Sequence, residues 1–303
     1  MAITAQDVKA LREMTGVGMM DCKKALAASD GDMDKAVEWL REKGLAASAK
    51  KAGRIAAEGM AYAGIIDGVG VVVEVNAETD FVGKNEKFVD FVKGVAATVA
   101  TCAPADLDAL MECKYNGTDL TVTQQQQEMV LVIGENIKVR RFARFDGGVS
   151  VPYIHAGGKI GVLVNLEVTG GIDATEIGKD MAMQIAALNP RFLDKSQVTQ
   201  EVLDEEKKIL LAQMDNDPKM ASKPDQVKEK IVVGKLNKFY AENCLLQQTF
   251  VKDNEVTVEQ YMNAAAKKLG GTIVLKDAVR FEKGEGIEKK QENFAEEIAK
   301  LAQ

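Results

Sequence analysis

The sequence predicts an α+β protein, and three observations lead to that class. Residues 1–54 carry helical periodicity around the only tryptophan of the chain and show no strand pattern. From residue 55 onward, short β-branched runs alternate with helical segments, and two such blocks resemble each other. Residues 198–242 then carry two long helical patterns separated by prolines. This arrangement favours small antiparallel sheets, each covered by helices on one face.

The N-terminal region, residues 1–54, is predicted to be a three-helix bundle followed by a helical connector. Thr4 is a candidate N-cap for the first helix. Glycine-containing breaks at 15–18 and 30–32 separate that helix from two more, and Gly44 is expected at the C-cap of the third. Three short helices of this total length resemble a ubiquitin-associated domain.

The core is predicted to consist of two subdomains, residues 55–146 and residues 147–197 with 243–285. Residues 70–75 of the first resemble residues 161–166 of the second, and both runs are typical of a buried strand followed by a helix. Two later segments also match each other, 139–147 and 275–284. The repetition predicts a strand, a helix and a returning strand in each subdomain.

The insertion at residues 198–242 is predicted to be an antiparallel helical hairpin with coiled-coil-like packing, because its apolar residues repeat at helical spacing on both sides of a proline-bounded turn. Its sequence leaves open whether it binds a second copy, giving a homodimer, or another protein. Residues 286–303 are expected to form a C-terminal helical module.

Composition excludes several classes of function. The net charge of -7 and the pI near 5.1 argue against binding nucleic acid over a large face. No run approaches the length of a membrane span, and the N-terminus lacks the pattern of a signal peptide, so a cytoplasmic protein is expected. The cysteines show no spacing typical of zinc or redox motifs, and we expect all four to be reduced: Cys22, Cys102, Cys113 and Cys244.

Few residues suit covalent catalysis. His155 is the only histidine, and no nucleophile elbow, phosphate loop or metalloprotease motif is present. We therefore expect a binding protein without catalytic residues, cofactor or metal. Two alternatives stay open at this stage. One is an adaptor in which only residues 1–44 bind a partner, and the other is an enzyme built on His155 or on a carboxylate cluster.

The turn at residues 76–84 is the most informative segment of the chain. It follows the predicted strand 71–75 and precedes a helix expected to start near Asn85. Within it, Phe81 comes directly after an acid and two residues before a glycine. Loops held between a strand and a helix are where binding residues concentrate. Taken alone, Phe81 fits either a local hydrophobic staple or a wedge presented to a partner.

Five segments in the same order resemble the elongation factor Ts family along nearly the whole chain. The segments are residues 11–26, 78–82, 133–137, 155–164 and 280–289. The resemblance implies a nucleotide-exchange factor, not an enzyme, that binds the GTPase elongation factor Tu in its GDP-bound and nucleotide-free forms. It would disturb the magnesium and phosphate site of the GTPase and promote GDP release so that GTP can bind.

The resemblance also implies which residues touch the GTPase. The turn would enter near the magnesium and phosphate site with Thr79, Asp80, Phe81 and Val82. Further contacts are implied at Arg12, Met19, Met20, Lys23, Ile133, Gly134, His155 and Val251. Independently of the resemblance, adjacent residues of a helix point about 100° apart, so Met19 and Met20 cannot both face the core of a small bundle. We therefore expect at least one of these two methionines to be exposed.

Overall fold

A computed structural model of the chain describes residues 3–288, with the side chains of residues 218, 221 and 225 excepted. Most of the C-terminal helix predicted at 286–303 lies outside the described residues. The predicted α+β class is confirmed, with N-terminal helices followed by small antiparallel sheets.

The N-terminal bundle consists of α1 (Ala5–Thr15), α2 (Met19–Ala28) and α3 (Met33–Lys51). Thr4 caps α1 as predicted, because its hydroxyl accepts from the Asp7 N–H while the Asp7 carboxylate accepts from the Thr4 N–H. The bundle core is small and apolar, and its largest buried members are Leu11, Leu26 and Leu40.

The C-cap predicted at Gly44 is wrong, because α3 continues to Lys51. Gly44 lies inside the helix and faces α6 (Val122–Ile133) of the core. A Cβ at this position would lie 3.2 Å from the carbonyl oxygen of Gln127. The glycine therefore allows the bundle to approach α6 closely, where Leu131 joins the bundle core.

The first sheet has the order β1-β2-β3 and is antiparallel throughout. Its strands are β1 (Glu58–Ile66), β2 (Val69–Ala77) and β3 (Lys138–Phe145), and the helices α4 (Glu86–Cys102), α5 (Leu107–Glu112) and α6 lie between β2 and β3 in the chain. Alternate residues of β2 pack against Phe88 and Phe91 of α4, which gives this subdomain its main core.

The second sheet has the order β4-β5-β8, also antiparallel. Its elements are β4 (Val149–His155), β5 (Ile160–Thr169), α7 (Thr175–Leu188), α11 (Val258–Leu269) and β8 (Thr272–Glu282), and a short hairpin of β6 (Thr249–Phe250) and β7 (Asp253–Thr257) precedes α11. The matched segments 70–75 and 161–166 both lie in the central strand of their sheet, and each strand is followed by a helix that covers the sheet.

The two sheets also pack against each other through the faces that the helices leave uncovered. Ala61 and Val72 of the first sheet meet Leu163 and Phe281 of the second in a small apolar cluster. The Ala61 N–H donates to the carbonyl of Gly158 at 2.8 Å, which ties the edge of β1 to the β4–β5 turn. The core is therefore layered as helices, sheet, sheet, helices.

A buried carboxylate joins the two halves near this sheet interface. Glu74 of β2 is fully buried, and its carboxylate accepts from Arg140, Arg141, Asn76 and the N–H of Gly284. Burial alone would raise the pKa of Glu74, but these hydrogen bonds outweigh it and hold the pKa below its usual value. The charged form is thus the one that the fold stabilises.

The insertion forms the predicted hairpin of α8 (Gln200–Asp215) and α10 (Asp225–Asn243), with the short α9 (Pro218–Ala221) between them. Leu210 and Met214 pack with Val232 near the turn, whereas Val198 packs with Phe239 near the body, so the helices run antiparallel. The first helix starts at Gln200, slightly later than the predicted residue 198, because Thr199 is its N-cap and the Thr199 side chain accepts from the Val202 N–H.

The expectation that all four cysteines are reduced is wrong, because Cys102 and Cys113 form a disulfide. The turn between α4 and α5 brings their Cα atoms to 6.5 Å, a proximity that a separation of 11 residues does not indicate. Cys22 and Cys244 are free thiols and are buried. Among residues 3–288, no helix is long and apolar enough to cross a membrane.

Candidate functional site

Phe81 lies at the tip of the turn that follows β2, with 79% of its surface exposed. A 3-10 turn at Val82–Lys84 comes next, and Asn85 caps α4 through its side chain, which accepts from the Lys87 N–H. Because the ring lies in solvent, the interpretation of Phe81 as a local staple is excluded. Val82 instead packs into the core and holds the turn from below.

Close backbone packing supports the turn. Gly83 is buried, and a Cβ there would lie 2.7 Å from the carbonyl oxygen of Gly59 in β1. Any larger side chain would therefore push the turn away from the sheet. Asp80 stands beside Phe81 and is exposed, so an acid and an aromatic ring are presented together.

The turn is also fixed from its side by the loop after α6. The Thr79 N–H and hydroxyl both donate to the Glu135 carboxylate, at 2.9 and 2.7 Å. The Glu78 carboxylate accepts from the Asn136 N–H at 2.6 Å, and the carbonyl of Arg54 accepts from the Asn136 side chain at 2.8 Å. The segments 78–82 and 133–137 each carry part of the family resemblance. These hydrogen bonds join them into one surface.

Ile133 and Gly134 belong to this loop. Ile133 is half-buried and packs against the core of the first subdomain. Gly134 ends α6 with φ at 86°, a conformation that lets the chain turn towards Thr79. Glu135 accepts the hydrogen bonds that fix Thr79. Sequence reasoning did not identify it as a functional residue, because its role depends on a contact with a residue 56 positions away.

The bundle offers a groove between α1 and α2 that contains every contact residue implied there. Met19 and Met20 are 58% and 64% exposed, so the expectation that at least one would be exposed is confirmed. They line the groove with apolar Ile3 and Val8 and with cationic side chains, namely Lys9, Arg12 and Lys23. Flexible methionines beside positive charges suit an adaptable contact with an acidic partner surface.

The groove and the turn are connected. The Lys87 ammonium, in the first turn of α4, donates to the carbonyl of Gly16 at 3.2 Å, in the loop between α1 and α2. On the other side of the bundle, Arg41 of α3 pairs with Glu128 of α6 at 3.3 Å. The bundle is thus held against the same helices that carry the Phe81 turn.

His155 lies exposed at the end of β4, and its Nδ1 is 3.1 Å from the Tyr153 hydroxyl. Among residues 3–288, the contact of its ring is with the Tyr153 phenol, whereas an acid–base site would place a carboxylate or a nucleophile beside it. Within residues 3–288, no group of three His, Cys, Asp or Glu side chains is placed to hold a metal ion.

Val251 is exposed in the loop between β6 and β7. Its N–H donates at 2.8 Å to the side-chain oxygen of Gln184, a fully buried residue of α7. The Gln184 amide nitrogen donates in turn to Gln248 and to the Thr249 carbonyl. One buried amide therefore fixes the hairpin that presents Val251, and no sequence signal distinguishes it from the other glutamines.

A second polar contact supports the same hairpin. The Lys252 ammonium pairs with Asp180 at 2.6 Å, and Asp180 also accepts from the Tyr261 hydroxyl. Burial and the adjacent Asp180 carboxylate raise the pKa of Tyr261, so its proton stays in this hydrogen bond at neutral pH. Lys252 thus helps to fix the loop that carries Val251.

Comparison with known proteins decides the family. The family model described as "Elongation factor TS" matches residues 78–285. The chain is 47% identical to an elongation factor Ts of Magnetococcus marinus over the full length of both chains. It is 49% identical to those of Trichlorobacter lovleyi, over 100% and 99% of the two chains, and of Clostridium kluyveri, over 98% of each.

The chain belongs to the elongation factor Ts family. The family resemblance seen in the five segments is thereby confirmed. The elongation factor Ts family functions in translation, so the chain is an elongation factor of protein biosynthesis. The matched region includes the Phe81 turn, Glu135, His155 and Val251, while the groove of the bundle lies outside it and is covered by the full-length relatives.

Proposed function

We propose that this protein is a guanine nucleotide exchange factor that binds elongation factor Tu and accelerates the release of GDP. Phe81 carries the proposal, because an aromatic ring that is 79% exposed on a turn fixed from two sides is poised to enter a partner. In this function no covalent bond is made or broken, so the protein is not an enzyme and needs no acid–base pair.

The coupling between binding of the factor and binding of GDP determines how much free energy the interface must supply. The factor must bind the nucleotide-free GTPase more tightly than the GDP-bound form. Weakening GDP a thousandfold requires about 4 kcal/mol of coupling. Burying one phenylalanine side chain supplies about 1.5–3 kcal/mol. Phe81 is therefore one part of a larger interface that includes the bundle groove, the loop after α6, His155 and the Val251 hairpin.

The rigidity of the turn that carries Phe81 increases the free energy available for displacing nucleotide. A mobile loop would lose conformational entropy on binding, which would reduce the free energy left for displacing nucleotide. The hydrogen bonds of Thr79 and Glu78 and the buried Val82 order the turn before the partner arrives. The exposed Asp80 then brings a negative charge towards a site that holds a cation and phosphates, where it competes with phosphate for the cation.

The defining experiment measures GDP release from elongation factor Tu with and without this protein, in millimolar magnesium and in chelator. We expect strong acceleration in magnesium and a smaller fold-acceleration in chelator, because removing the ion already loosens the nucleotide. Acceleration should persist in chelator, since the broad interface also acts elsewhere. No acceleration in either condition would refute the exchange function, whereas equal fold-acceleration in both would refute action through the metal.

Replacing Glu135 should reveal how much the fixed turn contributes. Glu135→Gln can keep both contacts with Thr79, because the amide oxygen accepts from the Thr79 N–H and the amide nitrogen can donate to the hydroxyl, but it removes the carboxylate charge that strengthens both bonds, at a cost of about 0.5–1.5 kcal/mol. We expect GDP release to slow by roughly 2- to 10-fold at equal concentration of factor, with little change in thermal midpoint. Glu167→Gln, at an exposed pair with Lys276, is the matched control and should match wild type.

Removing residues 1–51 should weaken association at least about tenfold, because the groove with Met19 and Met20 disappears. The core should stay folded, and Kd for the nucleotide-free GTPase is the measurement.

Removing residues 1–54 is the informative comparison, since it also takes away Arg54, which contacts Glu78 and Asn136. Only the longer deletion should also slow GDP release at saturating factor. Complete loss of binding with the shorter deletion would favour the adaptor alternative instead.

A further inference from the structure

The disulfide between Cys102 and Cys113 lies outside every surface assigned above. It joins the last residue of α4 to the residue that follows α5, two positions with a sequence separation of 11. Cys102 is exposed and Cys113 is half-buried, whereas the free thiols of Cys22 and Cys244 are both buried. The bonded pair is thus the one that solvent and small solutes reach.

This bond holds together the far ends of the two helices that support the Phe81 turn. The N-terminus of α4 follows that turn, and the C-terminus of α6 leads into Glu135, which binds Thr79. At the opposite end, the Cys113 carbonyl accepts from the N–H of Val122, the first residue of α6, and the Met111 carbonyl accepts from Thr123. The bond therefore ties the end of α4 to the start of α6 through α5.

We propose that Cys102 and Cys113 form a reversible thiol–disulfide exchange site whose reaction partner is a low-molecular-weight thiol of the glutathione class. In the disulfide form, the C-terminal end of α4 is held against α5 and the start of α6. In the dithiol form, this end of the helical layer is less stable. This inference does not depend on the exchange function proposed above, because it concerns the chemistry and local stability of this protein alone.

The reaction balances with that thiol as the only reductant. Its thiolate attacks the Sγ of the exposed residue Cys102, the protein S–S bond breaks, and the electron pair leaves on the Sγ of Cys113, which takes a proton from water. A second thiolate attacks the outer sulfur of the mixed disulfide and releases the Cys102 thiolate, which is then protonated. The products are the protein dithiol and one small-molecule disulfide. In the reverse reaction, the small-molecule disulfide is the oxidant and re-forms the bond between Cys102 and Cys113.

Access explains why exchange is confined to this pair. An attacking thiolate must approach along the S–S axis, which only an exposed sulfur permits. Burial raises the pKa of the Cys22 thiol and raises the pKa of Cys244 to about 11, so neither forms much thiolate near neutral pH. These two thiols act as internal controls within the same chain.

The test equilibrates the native, full-length protein in mixtures of reduced and oxidised glutathione, followed by alkylation and mass analysis of each cysteine. We expect Cys102 and Cys113 to change together from bonded to alkylated as the mixture becomes reducing, with Cys22 and Cys244 unlabelled until the protein is unfolded. Hydrogen exchange in the reduced form should quicken in α5 and at the start of α6. The thermal midpoint should fall by on the order of 5 °C.

The double variant Cys102→Ser with Cys113→Ser should reproduce the reduced form in both oxidising and reducing mixtures. Two results would overturn the proposal. One is alkylation of both cysteines even in the most oxidising mixture, which would mean that the bond does not form. The other is a bond that persists in the most reducing mixture, which would make it a permanent crosslink rather than an exchange site.

Discussion

Phe81→Ala is expected to slow GDP release from elongation factor Tu by roughly 10- to 100-fold at equal concentration of factor. The estimate follows from losing the burial of one phenylalanine side chain, about 1.5–3 kcal/mol, from the complex in which nucleotide is displaced. The free energy of unfolding should change by less than about 0.5 kcal/mol, because a ring that is 79% exposed contributes little to the core. Stopped-flow GDP release and urea unfolding of the same preparation would measure both quantities.

Two comparison variants make this prediction sharper. Ile65→Ala removes another exposed apolar side chain, at the end of β1 far from the Phe81 turn, and should leave the exchange rate per folded molecule unchanged. Phe81→Leu keeps an apolar side chain of smaller size and should fall between wild type and alanine. A large loss of stability in Phe81→Ala, with a normal exchange rate per folded molecule, would show that the ring supports the fold and not the partner.

Local signals explain why much of this fold could be predicted from the sequence. The cap at Thr4 and the start of α4 after Asn85 depend on residues a few positions apart, and both were found. The two central strands were recognised from continuous β-branched runs, which are typical of strands buried on both faces. The exposure of Met19 or Met20 followed from helix geometry alone.

What the sequence did not reveal depends on contacts between distant residues. The bond from Thr79 to Glu135 joins positions 56 residues apart, and the interior position of Gly44 in α3 makes sense only beside α6. Gln184 and the disulfide of Cys102 likewise leave no periodic or spacing signal. A single sequence reports composition and local pattern, whereas such pairs are fixed by how whole elements pack.

Glu74→Gln should destabilise the protein by about 3 kcal/mol near neutral pH, the second large effect that the structure predicts. The change removes the charge that Arg140 and Arg141 face in a buried site and leaves those cations unbalanced. Because total stabilities are usually only about 5–15 kcal/mol, the loss should be plain in urea unfolding. Glu167→Gln at the exposed pair with Lys276 should change stability by less than about 0.5 kcal/mol.

The pH dependence of the stability difference between wild type and Glu74→Gln distinguishes loss of the charge from altered packing. Since the folded pKa of Glu74 is below its usual value of 4.5, the carboxylate contributes its full stabilisation above that value. The contribution is lost as the pH falls through the lower folded pKa, where wild type becomes protonated as well. The stability gap between wild type and Glu74→Gln should therefore narrow from about pH 4.5 downward. A gap that stays constant across this range would mean that the variant is destabilised by altered packing and not by loss of the charge.

The same variant tests what keeps the two halves of the proposed interface in place. Through Gly284, Glu74 ties the segment after β8 of the second sheet to the centre of the first. The first sheet carries the Phe81 turn, while α7 of the second subdomain fixes the Val251 hairpin. We therefore expect folded Glu74→Gln to bind elongation factor Tu more weakly although it alters none of the proposed contact residues. Unchanged affinity would mean that the other contacts between the two sheets, which include the apolar cluster and the Ala61–Gly158 hydrogen bond, keep the two surfaces in place without the Glu74 charge.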